Sequence, residues 1–323
     1  MFIIKPIQLY AAKPPMSAQT DPALAVGIPC RNEEATIAAV VAAFKRALPG
    51  AVIHVFDNNS TDATAEAARQ AGANVWGELH PGKGNVVRRF FAEIEADVYL
   101  MVDGDDTYDA ASAPGMIRLL VEQHLDMVVA RRVSEDAGAY RTGHRLGNRL
   151  LTAAVSSIFG SQLKDMLSGY RVFSRRFVKS FPASSHGFEI EAELTVHALQ
   201  MRLPIAEIAS PYFARREGSV SKLNTWRDGM RILATILRLF SLEKPLRFYS
   251  LVALFFFLAA SILFVPVLLE YFQTGLVPRY PSLIVAVGVY LAAILSVVVG
   301  IVQRTSSAAR KEAKRFAYLS VRK

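Results

Sequence analysis

Cysteine is almost missing from this chain: Cys30 stands alone in 323 residues. No intrachain disulfide can form, which fits a reducing compartment. Zinc-finger spacing is absent, and so is any RNA-binding aromatic motif. No nucleic-acid partner is therefore expected, although the net charge is +9. The opening MFIIKPIQLYAAKPP has too short an apolar run and no good cleavage pattern for a signal peptide. Residues 1–22 read as a mobile lead. There is no internal repeat and no low-complexity tract. A P-loop is lacking too. GELHPGKG (77–84) meets the glycine and lysine positions of G-x-x-x-x-G-K, but Gly84 stands where Ser or Thr should reach magnesium. GKGNVV also lacks the third glycine of a dinucleotide fingerprint. Gly82, Lys83 and Gly84 before a helix suit either an approach to phosphate or a tight turn.

Apolar residues, by contrast, make up 52% of the chain and are unevenly spread. No charge falls between Ser250 and Leu269, or between Pro281 and Val302. Each run approaches the ~20 residues that cross a ~30 Å hydrocarbon core. Core helices rarely run so long without a polar face. A short loop joins the two, so residues 246–303 form a transmembrane hairpin with both ends on one side. Lys244 and Arg247 precede it; Arg304, Arg310, Lys311, Lys314 and Arg315 follow it; the loop holds only Arg279. Positive-inside asymmetry places both termini and the rest of the chain on the cytoplasmic side of a multi-pass inner-membrane protein. The basic tail, 304–323, suits anionic lipid. Before the hairpin, TWRDGMRILATILRLF within 225–245 alternates apolar residues with Arg227, Arg231 and Arg238. It suits a membrane-surface helix or a helix packed on the preceding domain.

From residue 23, short apolar strands alternate with helical stretches. ALAVGIP, VIHVFD, NVWGE, VYLMVD and DMVVAR read as buried strands. This alternation predicts an α/β domain, 23–224, with a largely parallel sheet. Ligands bind such sheets at the carboxyl ends of the strands. IPCRNEE, FDNNSTD and VDGDDTYD each follow a strand directly, so all three are expected on one rim. Asp57 ends its strand there, free to accept hydrogen bonds from a base or ribose. VYLMVDGDDTYD (98–109) gathers four acids into twelve residues. Such close charges repel and raise one another's pKa unless something neutralises them. A calcium loop is excluded by its missing glycine and terminal glutamate. Asp103 and Asp105 around Gly104 suit either a solvated turn or, as the stronger reading, a divalent metal site, with glycine allowing close approach of a ligand.

VGIPCRNEEATI, DNNSTD, GKGNVVRRF, VDGDDTYD, SGYRVFSRRF, GFEIEAEL and REGSVSKL occur in this order. Together they resemble family 2 glycosyltransferases over about residues 23–240. Within that family the likeness is to the polyprenyl-phosphate glycosyltransferases, which include dolichol-phosphate mannose and glucose synthases. The resemblance implies a nucleotide-diphospho-sugar transferase fold, a Rossmann-like domain of GT-A type. It places Pro29, Arg31, Glu33, Asp57 and Lys83 at the nucleotide sugar. Asp103, Gly104 and Asp105 would hold ribose, Mg²⁺ or Mn²⁺, and diphosphate. Arg132 and Arg215 join the two aspartates as catalytic groups. Arg132, Arg171, Ser221 and Lys222 would meet the acceptor phosphate. Arg145 and Arg149 suit either the lipid phosphate or a solvated helix face.

The implied reaction is inverting transfer from a UDP-sugar or GDP-mannose to a polyprenyl phosphate. The lipid phosphate is already ionised at pH 7, so alignment matters more than a strong base. Glu189, Glu191 and Glu193 stay available for sugar hydroxyls. Two alternatives are a polysaccharide synthase and a non-catalytic, membrane-anchored nucleotide-binding scaffold. The first usually carries Q-x-x-R-W and more spans, which this chain lacks; the intact acidic cluster opposes the second. The sequence is also compatible with a homo-oligomer.

Overall fold

The computed structural model describes residues 22–133, 152, 155–156, 160, 163–215 and 225–321. Arg145, Arg149, Ser221 and Lys222 lie outside the described residues, as does the lead 1–21. The chain begins with β1 (Leu24–Cys30), α1 (Glu34–Ala47), β2 (Val52–Asp57), α2 (Thr64–Gln70), β3 (Asn74–Gly77), α3 (Lys83–Glu93) and β4 (Val98–Met101). It continues with α4 (Ala113–Glu122), β5 (Met127–Val133), β6 (Arg171–Ser174), α5 (Arg175–Ser180), α6 (Ile190–Met201) and β7 (Ile205–Pro211). Three long helices follow: α7 (Thr225–Glu243), α8 (Pro245–Thr274) and α9 (Tyr280–Ser320).

The sheet has seven strands in the order β3-β2-β1-β4-β6-β5-β7. All but β6 point the same way; β6 is antiparallel to both β4 and β5. The expected strands are present. β6 and β7 are additions that the alternation does not reveal, because β6 has only four residues and its partners are distant in sequence. VYLM of β4 is buried at every position, as a strand covered on both faces must be. Phe44, Val40, Met116 and Leu120 bring α1 and α4 onto one face, with Tyr108 and Tyr170. Phe90, Phe91, Phe177 and Leu194 bring α3, α5 and α6 onto the other, beside Tyr99 and Phe173.

Helices α8 and α9 are each long and apolar enough to cross a membrane. Their shared seam is built mostly of small residues a heptad apart. Ala253, Ala260 and Val267 are buried on α8, and Ala286, Ala293 and Gly300 on α9. Close backbone approach at such a seam suits helix packing in lipid. Ser261 and Tyr290 hydroxyls add a 3.0 Å hydrogen bond across it, while Phe255, Ile262, Ile284 and Ile294 face outward.

The segment expected as a basic tail is the last part of α9, docked on α7 and on the α/β domain. Arg310 donates to the Leu242 carbonyl at 2.9 Å, and Lys314 to Gln200 Oε1 at 2.7 Å. Tyr318 donates to Asp126 Oδ2 at 2.9 Å, and Arg176 to the Val321 carbonyl at 3.0 Å. The amphipathic α7 packs on the domain along one face. Ile232 and Ile236 pack on Met166, Ala192 and Val196, while Met230, Leu233 and Leu237 stay exposed.

Candidate active site

The loops after β1, β2 and β4 converge on one rim, as the polar clusters predict. Parallel pairing sets Cys30 beside Asp57 and Gly27 beside Met101. Hydrogen bonds then stitch the loops together. Asn58 N donates to the Cys30 carbonyl at 2.8 Å, and Asn32 Oδ1 accepts from Thr61 N at 2.8 Å. Thr36 Oγ1 donates to the Gly104 carbonyl at 2.7 Å. Each loop holds one non-glycine residue in the left-handed region: Asn32, Asn59 and Asp106, with φ of 52°, 59° and 57°. Asn and Asp tolerate this conformation better than most residues, and such positions gather at ligand sites.

Packing by itself already requires glycine at position 104. A Cβ there would lie 2.5 Å from Cys30 Sγ, against the end of β1. Asp105 is buried; its Oδ1 accepts from Thr107 Oγ1 at 2.6 Å and its Oδ2 meets Arg215 at 2.5 Å. Burial and the adjacent Asp103 push its carboxyl above the usual range, with Arg215 opposing. The chain after β7 delivers that arginine: Tyr212 bridges to Tyr108, and Phe213 N donates to the Thr107 carbonyl at 2.8 Å. Asp103 is more open, with its side chain 29% exposed, and is paired with Lys83.

Lys83 is buried between two acids, Asp103 and Glu191, the latter at 2.6 Å. Burial alone would lower its pKa, but the two carboxylates hold the ammonium well above its ordinary range. The glycines of GKG have a packing role of their own. Gly82 and Gly84 let α3 seat directly on the backbone of His186 and Ser185, where side chains would collide. Gly84 N donates to the His186 carbonyl at 2.9 Å. The lysine turns inward, beneath Asp103.

A hard divalent ion is typically held by one or two carboxylates plus phosphate and water oxygens. Asp103 and Asp105 fit that demand, and each already faces a cation, Lys83 or Arg215, in a place that favours positive charge. No three His, Cys, Asp or Glu side chains surround one metal position among the described residues, so substrate oxygens would complete the shell.

The fold's partners outside this molecule agree. The glycosyl transferase family 2 model matches residues 25–181. The glycosyltransferase AglJ of Haloferax volcanii is 34% identical over 232 residues, 72% of this chain and 76% of that one. The chain belongs to glycosyl transferase family 2. A dolichyl-phosphate hexose transferase of the same organism is 28% identical over 72% of this chain and all of that one. Among solved structures, glucosyl-3-phosphoglycerate synthase from Mycobacterium tuberculosis, in complex with Mn²⁺, UDP-glucose and phosphoglyceric acid, superposes with a TM-score of 0.57 at 25% identity. That match covers 68% of this chain and 80% of the synthase.

In this family 2 transferase the remaining expected residues divide by burial. Pro29 and Asp57 are half-buried at their strand ends, Arg31 is exposed beside them, and Glu33 is buried. Arg132 forms a bidentate pair with Asp165 at 2.7 and 2.8 Å and lies over the Tyr212 ring. Arg171 departs from its expected place at the acceptor phosphate. It is fully buried and donates to the Ser168 and Met166 carbonyls and to Thr195 Oγ1. Burial lowers its pKa to about 10. It braces the turn leading into β6 from inside, so it is not a surface group for the acceptor phosphate. Two of the three acids of GFEIEAEL also differ from expectation. Glu193 accepts from Ser184 N and Ser185 N at 3.0 and 2.7 Å, and Glu191 holds Lys83; both are buried.

Sequence reading missed Asn58 and Asp165. Asn58 is buried, donates to the Glu78 and His80 carbonyls, and accepts from Gly82 N at 2.6 Å. It ties the GKG loop to β2. The only local signal is an asparagine directly after a strand-terminal aspartate. Asp165 carries no local signal, since its partner Arg132 lies 33 residues away.

Proposed function

We propose that this chain is a membrane-anchored, inverting glycosyltransferase that moves a sugar from a nucleotide-diphosphate sugar to a polyprenyl phosphate. The observation that carries it is the pairing of Asp103 and Asp105 on the carboxyl rim with two membrane-length helices in the same chain. The dolichyl-phosphate relative and the UDP-glucose neighbour support the acceptor and donor classes respectively.

In this reading the half-buried Asp57 meets the base, and Pro29, Arg31 and Glu33 line the nucleotide pocket. Asp103 and Asp105 hold Mg²⁺ or Mn²⁺, which when bound neutralises the diphosphate and steadies the charge of the leaving nucleotide. Arg215 releases Asp105 as donor binds and turns to the phosphates. Arg132, fixed by Asp165, presents positive charge towards the acceptor phosphate; guanidinium groups match phosphate oxygens well. Attack comes from a lipid phosphate oxygen that is already anionic, so these residues align and stabilise charge rather than remove a proton. The basic flanks of the hairpin orient the catalytic domain to the cytoplasmic face.

The test is a transfer assay on the purified full chain with undecaprenyl phosphate and Mg²⁺ or Mn²⁺. Labelled UDP-glucose, UDP-N-acetylglucosamine, UDP-galactose and GDP-mannose are offered as donors. One donor is expected to give metal-dependent label in a lipid product. Asp105→Ala should lower that rate by at least about a hundredfold. No lipid product from any donor, with nucleotide binding intact, would overturn the polyprenyl acceptor.

A further inference from the structure

We propose that Glu191 is a positioning residue of the donor site, setting Asp103 through the buried ammonium of Lys83. This rests on the donor-site reading of the Asp103–Asp105 rim.

Three separate elements meet at this point. Glu191 stands in the first turn of α6, Lys83 is the first residue of α3, and Asp103 follows β4. Glu191 is 4% exposed, and its Oε1 lies 2.6 Å from Lys83 Nζ. The same ammonium pairs with Asp103 Oδ1. Glu191 Oε2 is buried with no hydrogen-bond partner among the described residues, so Lys83 is what anchors this carboxylate. Behind the pair, Gly169 closes the space. A Cβ there would lie 2.5 Å from Asp103 Oδ2 and 2.8 Å from Lys83 Nζ.

The consequence follows from charge. Lys83 divides one positive charge between two carboxylates, so Asp103 is held in place without being fully neutralised. It stays an acceptor for an incoming divalent ion. With Glu191 made neutral, Lys83 would pair with Asp103 alone, and an arriving cation would have to compete with a tighter ion pair. The partner that orients a metal-binding carboxylate typically changes metal affinity about 10- to 100-fold when removed. Asp105 has a different arrangement: its cation, Arg215, comes from the chain after β7 and is 32% exposed. Lys83 is the buried cation of the site and Arg215 the more exposed one.

Mn²⁺ uptake by the full-length protein, followed by electron paramagnetic resonance with UDP and separately with GDP, tests this without turnover. Wild type is expected to bind Mn²⁺ with one of the two nucleotides. Glu191→Gln should raise the half-saturating Mn²⁺ concentration about 10- to 100-fold, with an unchanged circular dichroism spectrum. Gly169→Ala alters no charge but crowds the Asp103–Lys83 contact, and should shift the midpoint in the same direction. A folded Glu191→Gln with an unchanged midpoint would overturn the positioning role alone; a carboxylate that touched only the sugar would give that result. If Glu191→Gln does not fold, an unchanged midpoint in Gly169→Ala overturns it instead. Wild type that takes up no Mn²⁺ with either nucleotide overturns the donor-site reading along with this one.

Discussion

His197 sits edge-on to Phe177 and Phe181, with ring centroids 5.4 and 5.2 Å away. Neither ring nitrogen has a hydrogen-bond partner among the described residues. Burial, with the nearby Lys314 charge, lowers its pKa to about 3 from an ordinary 6.5. The unfolded chain therefore takes up this proton first. Stability is full above about pH 6.5 and declines as pH falls towards 3. At pH 4 the loss is on the order of 3 kcal/mol. His197→Phe should flatten the fall in Tm between pH 7 and pH 4, measured by thermal melts in detergent. An equally steep fall in the variant would assign the acid sensitivity to other groups. At the same scale, Asp103, Asp105 and Asp57 were legible because each follows an apolar run that had to be a strand. Arg171 was not, because SGYR is the same string whether its guanidinium faces solvent or the core. Only the packing of the Met166–Ser168 turn, which offers two carbonyls to it, turns it inward.

At the scale of elements, α9 is the largest departure from expectation. Composition suits residues 304–323 to anionic lipid, since they are basic and follow an apolar span. The helix instead continues without a break and binds α5, α6 and the C-terminal end of α7. Tyr318–Asp126 and Arg176–Val321 are its last ties. Each hydrogen bond is worth about 1 kcal/mol net. Replacing Tyr318 and Arg176 together by Ala should open this end roughly ten- to thirtyfold more often. Trypsin cleavage at Arg315 should accelerate by that factor, since cutting tracks the open population. Cleavage just as fast in wild type would mean that the helix end does not stay docked. Strands β6 and β7 were illegible for a related reason. Their pairing with β4 and β5 joins residues far apart in sequence, and neither carries a long apolar run.

The whole molecule joins a rim-centred α/β domain to an apolar hairpin, and its basic residues flank the hairpin on one side. In the proposed orientation the 275–279 turn lies outside the cytoplasm. Cys30 is buried, which leaves a low background for cysteine labelling. Gln273→Cys should react with an impermeant maleimide in intact cells, and Glu312→Cys should react only after permeabilisation. The reverse pattern would overturn the orientation and put the catalytic domain on the wrong side for cytoplasmic nucleotide sugars.

Local order in the chain was enough for the α/β class, the shared rim and the two membrane-length helices. Those depend on apolar runs and on the polar residues next to them, which are neighbours in sequence. Tertiary structure alone decided which charge meets which. Lys83 reaches Asp103 and Glu191, Arg132 reaches Asp165, Arg215 reaches Asp105, and α9 returns to Asp126. Such pairs act over a few ångströms between residues tens to nearly two hundred positions apart, so no spacing in the sequence encodes them.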